Sequence, residues 1–287
     1  MFLDDSPIVA LLCDFGFLSP ECFQGNNTHA MAPGLLSRSV HSGIHHPYDG
    51  GFDRHYDYYL VVLRHPLKRL QSWFTYERPV GVNQPSFAGK GRYKREKQLY
   101  LECDFHTLNE LGEKGLSNQT QDFSATPLPQ KLTRTEEMLF NSDEYASVCQ
   151  FRASMAIQGK VGYASHNKYN FRHYLDLIES KHGPKPTLAA IRTEHLEKDW
   201  KSLEEDLLHG QKNLNVSFGH MNKSKKDGKD EYLSPTALRN ICRELCGEIQ
   251  VYKVLLQRAV NLNDDDYATS LAELAESCPE EVKASDC

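Results

Sequence analysis

The stretch Tyr58 to Arg78, YYLVVLRHPLKRLQSWFTYER, constrains the fold more than any other part of the chain. Tyr59 to Leu63 is a short, unbroken apolar run with two valines, the pattern of a strand buried on both faces. Pro66 cannot continue a strand and suits the first turn of a helix. Beyond it Leu67, Leu70 and Phe74 recur at helical spacing, with Lys68, Arg69 and Gln71 on the other faces. Arg64 then stands at the carboxyl end of the strand, where open α/β sheets bind ligands. Ser72 falls inside the helix, eight positions later. A helix start, a guanidinium and a hydroxyl placed this way would converge on one anion. The pattern equally fits a buried strand, a turn and a helix whose basic residues are merely solvated.

A chain of 287 residues suffices for one large α/β domain with a substantial core, or at most two small ones. Its net charge of −6 argues against a general nucleic-acid binder. No window approaches eighteen consecutive apolar residues, so no membrane span is expected, and Met1 is followed by no basic segment of the kind that opens a secretory leader. The eight cysteines include no Cys-x-x-Cys pair, which argues against zinc, and no metal is expected. Cys242 and Cys246 share a helix face. An even count fits disulfides in an oxidising lumen; buried free thiols remain the alternative. Glycosylation sequons stand at Asn26, Asn118, Asn215 and Asn222.

In chain order, Ile8 to Cys13 reads as a strand or a short buried helix, and residues 14–57 read mostly as loop. His41, His45 and His46 lie about twenty residues before Arg64, and histidine is the side chain best poised to accept a hydroxyl proton near neutral pH. Lys90, Arg92, Lys94, Arg95 and Lys97 form either a solvated face or a wall for an anionic polymer. Helices are expected over 96–112, 136–157 and 167–181, with residues 115–135 a linker or insertion. Thr187 to Arg192 is a second buried-strand signal; Glu194 and His195 follow it and read as a cap and a core histidine. Ser234-Pro235 opens a long core helix to about Ala259, with Leu238, Ile241, Leu245, Ile249, Tyr252, Leu255 and Leu256 along one side. Residues 263–287 are acidic and read as a loose tail.

The string Arg64-His-Pro66-x-x-Arg69-x-x-Ser72 resembles the segment by which sulfotransferases hold the 3′-phosphate of 3′-phosphoadenosine 5′-phosphosulfate. The resemblance implies that Arg64 and Ser72 bind that phosphate, with Arg69 either assisting or pairing with an acid of the fold. It extends to carbohydrate sulfotransferases of the Golgi, in which a histidine at about this distance before the arginine is the base. That implies His45, or else His41, as the catalytic base. The Ile191-Arg-Thr-Glu-His-Leu196 string with Asp199-Trp200 resembles the late strand of sulfotransferase-like proteins of algal type. His220-x-Asn222-x-Ser224 resembles the late loop that closes over the nucleotide, implying donor contacts from Asn222 and Ser224 with charge from Lys223 or Lys225.

The fold implied is an α/β, P-loop-NTPase-like central parallel sheet flanked by helices. A sulfotransferase-like domain would span residues 1–262, with an acceptor-side insertion at 79–135. Such a domain also needs an early strand followed by a Pro-Lys-x-Gly loop for the 5′-phosphosulfate. The Gly/Lys clusters at Gly89, Gly159 and Gly183 neither follow a buried strand nor open a helix, so the domain is expected to be amino-terminally incomplete. The activity implied is sulfuryl transfer to a carbohydrate hydroxyl in the Golgi lumen, without metal or nucleic acid, any membrane association coming through an anchor outside these residues. The alternative is a catalytically inactive, sulfotransferase-like protein that binds a glycan or a partner.

Overall fold

The computed structural model describes residues 58–77, 98–117, 132, 134–160, 167, 170–172, 187–206 and 232–284. Two parallel strands, β1 (Tyr58–Leu63) and β2 (Thr187–Arg192), pair in register from Tyr58 opposite Thr187 to Leu63 opposite Arg192. The apolar runs become strands because their side chains are covered: Leu60, Val61, Leu63 and Leu188 to Ile191 are all buried. Helices make up most of the remaining described residues, so the architecture is α/β with a small parallel sheet. The helices are α1 (Pro66–Glu77), α2 (Leu108–Glu110), α3 (Arg134–Leu139), α4 (Val148–Ile157), α5 (Leu196–Asp206), α6 (Pro235–Arg258), α7 (Asp264–Ser277) and α8 (Pro279–Lys283). None of them is long and apolar enough to cross a membrane.

The chain divides into two compact units, with one division between Leu63 and Arg64. The first holds both strands, α5 and residues 258–263. Here Val260 N donates to Leu188 O (2.9 Å), and the Asn261 side chain pairs with Ala190 through both of that residue's backbone groups at 2.8 Å. Leu188 and Ala190 share one edge of β2, so this segment completes the edge that β1 leaves open. One side-chain amide thus stands in for a missing strand. Asp199 in the first turn of α5 holds the end of β2. It accepts from Arg192 N (2.7 Å), Nε (2.8 Å) and Nη2 (2.6 Å), with both side chains all but fully buried.

The second unit is built on α6. The Ser234 hydroxyl caps it by accepting from Ala237 N at 3.1 Å, and Ile241, Leu245, Ile249, Tyr252, Leu255 and Leu256 are buried along it, as the apolar periodicity requires. Gly112 lies so close to this helix that a Cβ there would sit 2.9 Å from Ala237 Cα, too near for any side chain. The fully buried Arg152 of α4 bonds Glu136 (Nε to Oε1, 2.8 Å) and Glu102 (Nη1 to Oε2, 2.8 Å). Burial works against the Arg152 charge, and the two carboxylates more than restore it. Disulfides link Cys103 to Cys149 and Cys242 to Cys278, closing loops of 46 and 36 residues. Each removes on the order of 4 kcal/mol of chain entropy from the unfolded state. Cys246 is disulfide-bonded as well, so none of the described cysteines is a free thiol.

Three expectations change. The helix over 96–112 is interrupted: a π-helical turn at Gln98–Glu102 ends in the half-cystine Cys103, and Asp104 adopts φ 57°, a left-handed conformation that no helix continues. A new start follows, where Thr107 and Glu110 form a reciprocal capping box before α2 and a second π-helical turn at Leu111–Gly115. The helix over 136–157 is two helices, because the Ser147 hydroxyl caps α4 afresh by accepting from Gln150 N (3.1 Å). The acidic segment from 263 onward is no loose tail over its described part. Its acids crowd the first turn of α7, where they favour the helix dipole, Leu274 is fully buried, and Cys278 is tied to α6.

Asp199→Ala leaves a buried guanidinium without its carboxylate and is expected to lower stability by about 3–5 kcal/mol. Urea unfolding of the variant against the parent chain measures this; a loss below about 1 kcal/mol would show that Asp199 does not hold the end of β2.

Candidate functional site

Arg64 and His65 form the two-residue connection that ends β1 and opens α1. Pro66 has no N–H to lose at the first helical position, and the buried His65 supplies the cap. Its backbone oxygen accepts from Arg69 N at 2.9 Å, and its Nδ1 accepts from Lys68 N at 3.5 Å. An Nδ1 that accepts a bond carries no proton, so this contact favours the tautomer protonated at Nε2. Arg64 is half-buried beside this cap, and Ser72 is exposed farther along α1. Lys68 and Ser72 stand one turn apart on the same exposed face, so an anion reaching the Ser72 hydroxyl would meet an ammonium there.

Arg69 points to structural work instead. Its Nε and Nη2 each donate to Glu248 at 2.7 Å, a bidentate fork, and its guanidinium lies 5.6 Å from the ring centre of Phe171. Burial pushes the Glu248 carboxyl up, and the Arg69 charge and hydrogen bonds work in the opposite direction. Of the two roles open to Arg69 from sequence, assisting an anion or pairing with an acid, the geometry supplies the second.

Arg64, Ser72 and Arg69 belong to one compact unit, whereas Glu194 and His195 occupy a 3-10 turn, Thr193–His195, in the other. The Thr193 hydroxyl donates to the Glu194 carboxylate at 3.1 Å. The expected base His45, its second choice His41, their neighbour His46, the loop residues Asn222, Lys223, Ser224 and Lys225, and the basic run 90–97 lie outside the described residues.

The unit built on α6 also contains a cleft of about 680 Å³ that sequence reading did not find. Lys160, Arg172 and Arg243 line it, together with Gln158, Gln250 and the carboxylates of Glu244 and Glu248. Both acids are engaged internally: Glu248 by Arg69, and Glu244 Oε2 by the Ser154 hydroxyl and Gln158 Nε2, each at 2.7 Å. The signal for this cleft lay in α6, where Arg243, Gly247 and Gln250 recur on one polar face opposite the apolar stripe. Cys242, Cys278 and Glu281 place their ligand atoms within 4.8 Å of one another, but both sulfurs are committed to a disulfide and offer no thiolate to a metal.

No protein-family model, curated protein or solved structure matches the chain.

Glu248→Ala strands the Arg69 charge against Phe171 and is expected to lower stability by about 3–5 kcal/mol, whereas the double replacement Arg69→Met with Glu248→Leu recovers most of it. A double-mutant cycle by denaturant unfolding measures the coupling. Additive losses would show that the pair is not a unit.

Proposed function

We propose that the chain is a carbohydrate-type sulfotransferase, moving the sulfuryl group of 3′-phosphoadenosine 5′-phosphosulfate to a hydroxyl of a glycan. The observation that carries the reading is the Arg64 connection: a buried strand in a parallel pair, then Arg64, then a helix opened by Pro66 that bears Ser72 on an exposed face. A half-buried guanidinium ahead of the helix and an exposed hydroxyl on it are chemically suitable groups for a phosphate monoester, the first giving charge and the second a neutral hydrogen bond. The arrangement fits a P-loop-NTPase-like sheet of which the described residues hold two strands.

In the reaction the acceptor oxygen attacks sulfur while the bond from sulfur to the bridging phosphate oxygen breaks, releasing 3′-phosphoadenosine 5′-phosphate. The acceptor proton goes to His45, with His41 as the second candidate. Arg64 and Ser72 hold the 3′-phosphate, and Asn222 and Ser224 contact the donor from the late loop. No metal takes part. Protein positioning of donor and acceptor supplies much of the rate. Disulfides at Cys103–Cys149 and Cys242–Cys278 suit an oxidising compartment such as the Golgi lumen. A second reading, a sulfotransferase-like protein that binds glycan or a partner without turnover, is favoured by one sequence observation: none of the Gly/Lys clusters at Gly89, Gly159 and Gly183 has the setting of a 5′-phosphosulfate loop.

Calorimetric titration with 3′-phosphoadenosine 5′-phosphate tests the nucleotide site. Arg64→Ala is expected to weaken binding at least about tenfold and Ser72→Ala several-fold, in line with the loss of a charged and of a neutral hydrogen bond. Unchanged affinity in Arg64→Ala, or no binding by the parent chain, overturns the reading. Transfer from a sulfur-35-labelled donor to a glycan separates the enzyme from the non-catalytic alternative.

A further inference from the structure

We infer that the cleft on α6 is a binding site for a small anionic sugar, a ligand carrying an oxyanion and free hydroxyls on one framework. This does not rest on nucleotide binding at Arg64 and would stand if sulfuryl transfer failed.

The charge of the cleft comes first. Lys160 and Arg243 are exposed on its wall and form no ion pair among the described residues. Arg172 adds a third cation, its Nη1 4.0 Å from where a Cβ on Gly247 would stand, so the guanidinium lies over the helix where a side chain is missing. The two wall carboxylates cancel only part of this charge. Glu248 is offset by the bidentate Arg69, whereas Glu244, held by the neutral donors Ser154 and Gln158, keeps its charge. With Arg172 left out as already engaged, Lys160 and Arg243 still outnumber the one wall carboxylate that no arginine meets, that of Glu244, and leave a net attraction for an anion in a partly enclosed space.

The amides supply the second half of the argument. Gln158 Nε2 faces the Glu244 carboxylate (2.7 Å) and the Ser154 hydroxyl oxygen (3.0 Å). Gln250 Nε2 faces the backbone oxygens of Glu281 and Ala284, both at 3.1 Å. A carboxylate and a carbonyl only accept, so these bonds fix which end of each amide is the NH₂ group. The Oε1 of each glutamine is therefore left as an acceptor for a donor of the ligand. A bare sulfate dianion has no hydrogen to offer it; a sugar hydroxyl does. Cations for the oxyanion and amide oxygens for hydroxyls are together the complement of an acidic monosaccharide or disaccharide. A cleft of about 680 Å³ holds one of that size.

The test is calorimetric titration of the full chain with four probes: a sulfated uronic-acid disaccharide, glucose 6-phosphate, the unsulfated neutral disaccharide lactose, and inorganic sulfate. The expected result is binding of one or both anionic sugars at least about tenfold more tightly than lactose or sulfate. Preference between the two identifies a glycan sulfate or carboxylate, or a sugar phosphate, as the source of the charge. Lys160→Glu and Arg243→Glu, both at exposed positions, are each expected to weaken that binding about tenfold, with far-UV circular dichroism and melting temperature unchanged. Arg64→Ala is expected to leave it unaltered, which separates this cleft from the nucleotide site. The inference is overturned if neither anionic sugar binds, if sulfate binds as well as they do, or if both charge reversals leave their affinity unchanged.

Discussion

A buried guanidinium cannot escape its desolvation by giving up a proton, so every arginine taken out of water dictates where a carboxylate must go. This constraint recurs through the described residues. Arg192 at the end of β2 is met by Asp199 from the first turn of α5. Arg152 in α4 is met by Glu136 and Glu102, which draws α3 and the turn at Gln98–Glu102 to the same helix. Arg69 in α1 is met by Glu248 in α6. Apolar contacts could be satisfied by several packings of the same helices. A forked donor matched to one carboxylate is satisfied by far fewer, so these pairs select among them.

The same constraint sorts the cations that remain for binding. Arg69 is spent on the fold, although it sits inside the Arg64–Ser72 string. Glu248 is spent too, and because it is, only Glu244 on that wall opposes an anion. The polarity of the α6 cleft follows from which charges the interior has already used, not from the count of charged residues along its wall.

What could be read from the sequence was local. Both strands announced themselves as apolar runs, and Ser234-Pro235 marked the start of α6, since those signals depend on neighbours in the chain. The breaks were harder. Asp104 and Ser147 interrupt helical patterns through a left-handed turn and a fresh cap, which periodicity alone does not register. Asn261 acting as a stand-in for a strand, and Cys278 holding α7 to α6, depend on residues far away in sequence. The site divided in the same way. Arg64 and Ser72 stood out because nine consecutive residues of one segment carry them. The cleft did not, because residues near 158, 172 and 247 come together only once the fold exists.

Tyr58 pairs with Thr187, about 130 residues farther along, and Ala190 is closed off by Asn261, some seventy residues beyond that. A chain emerging from the ribosome therefore presents β1 long before its neighbour exists, and the unit containing the sheet cannot close until almost the whole polypeptide is out. The pairs of Arg152 with Glu102 and Glu136, and the Cys103–Cys149 bond, can form once the segment around residue 157 has appeared. The order of synthesis thus runs against the order of assembly: the earlier of the two described strands is secured late, and in the interval its unpaired edge needs shelter from other strands.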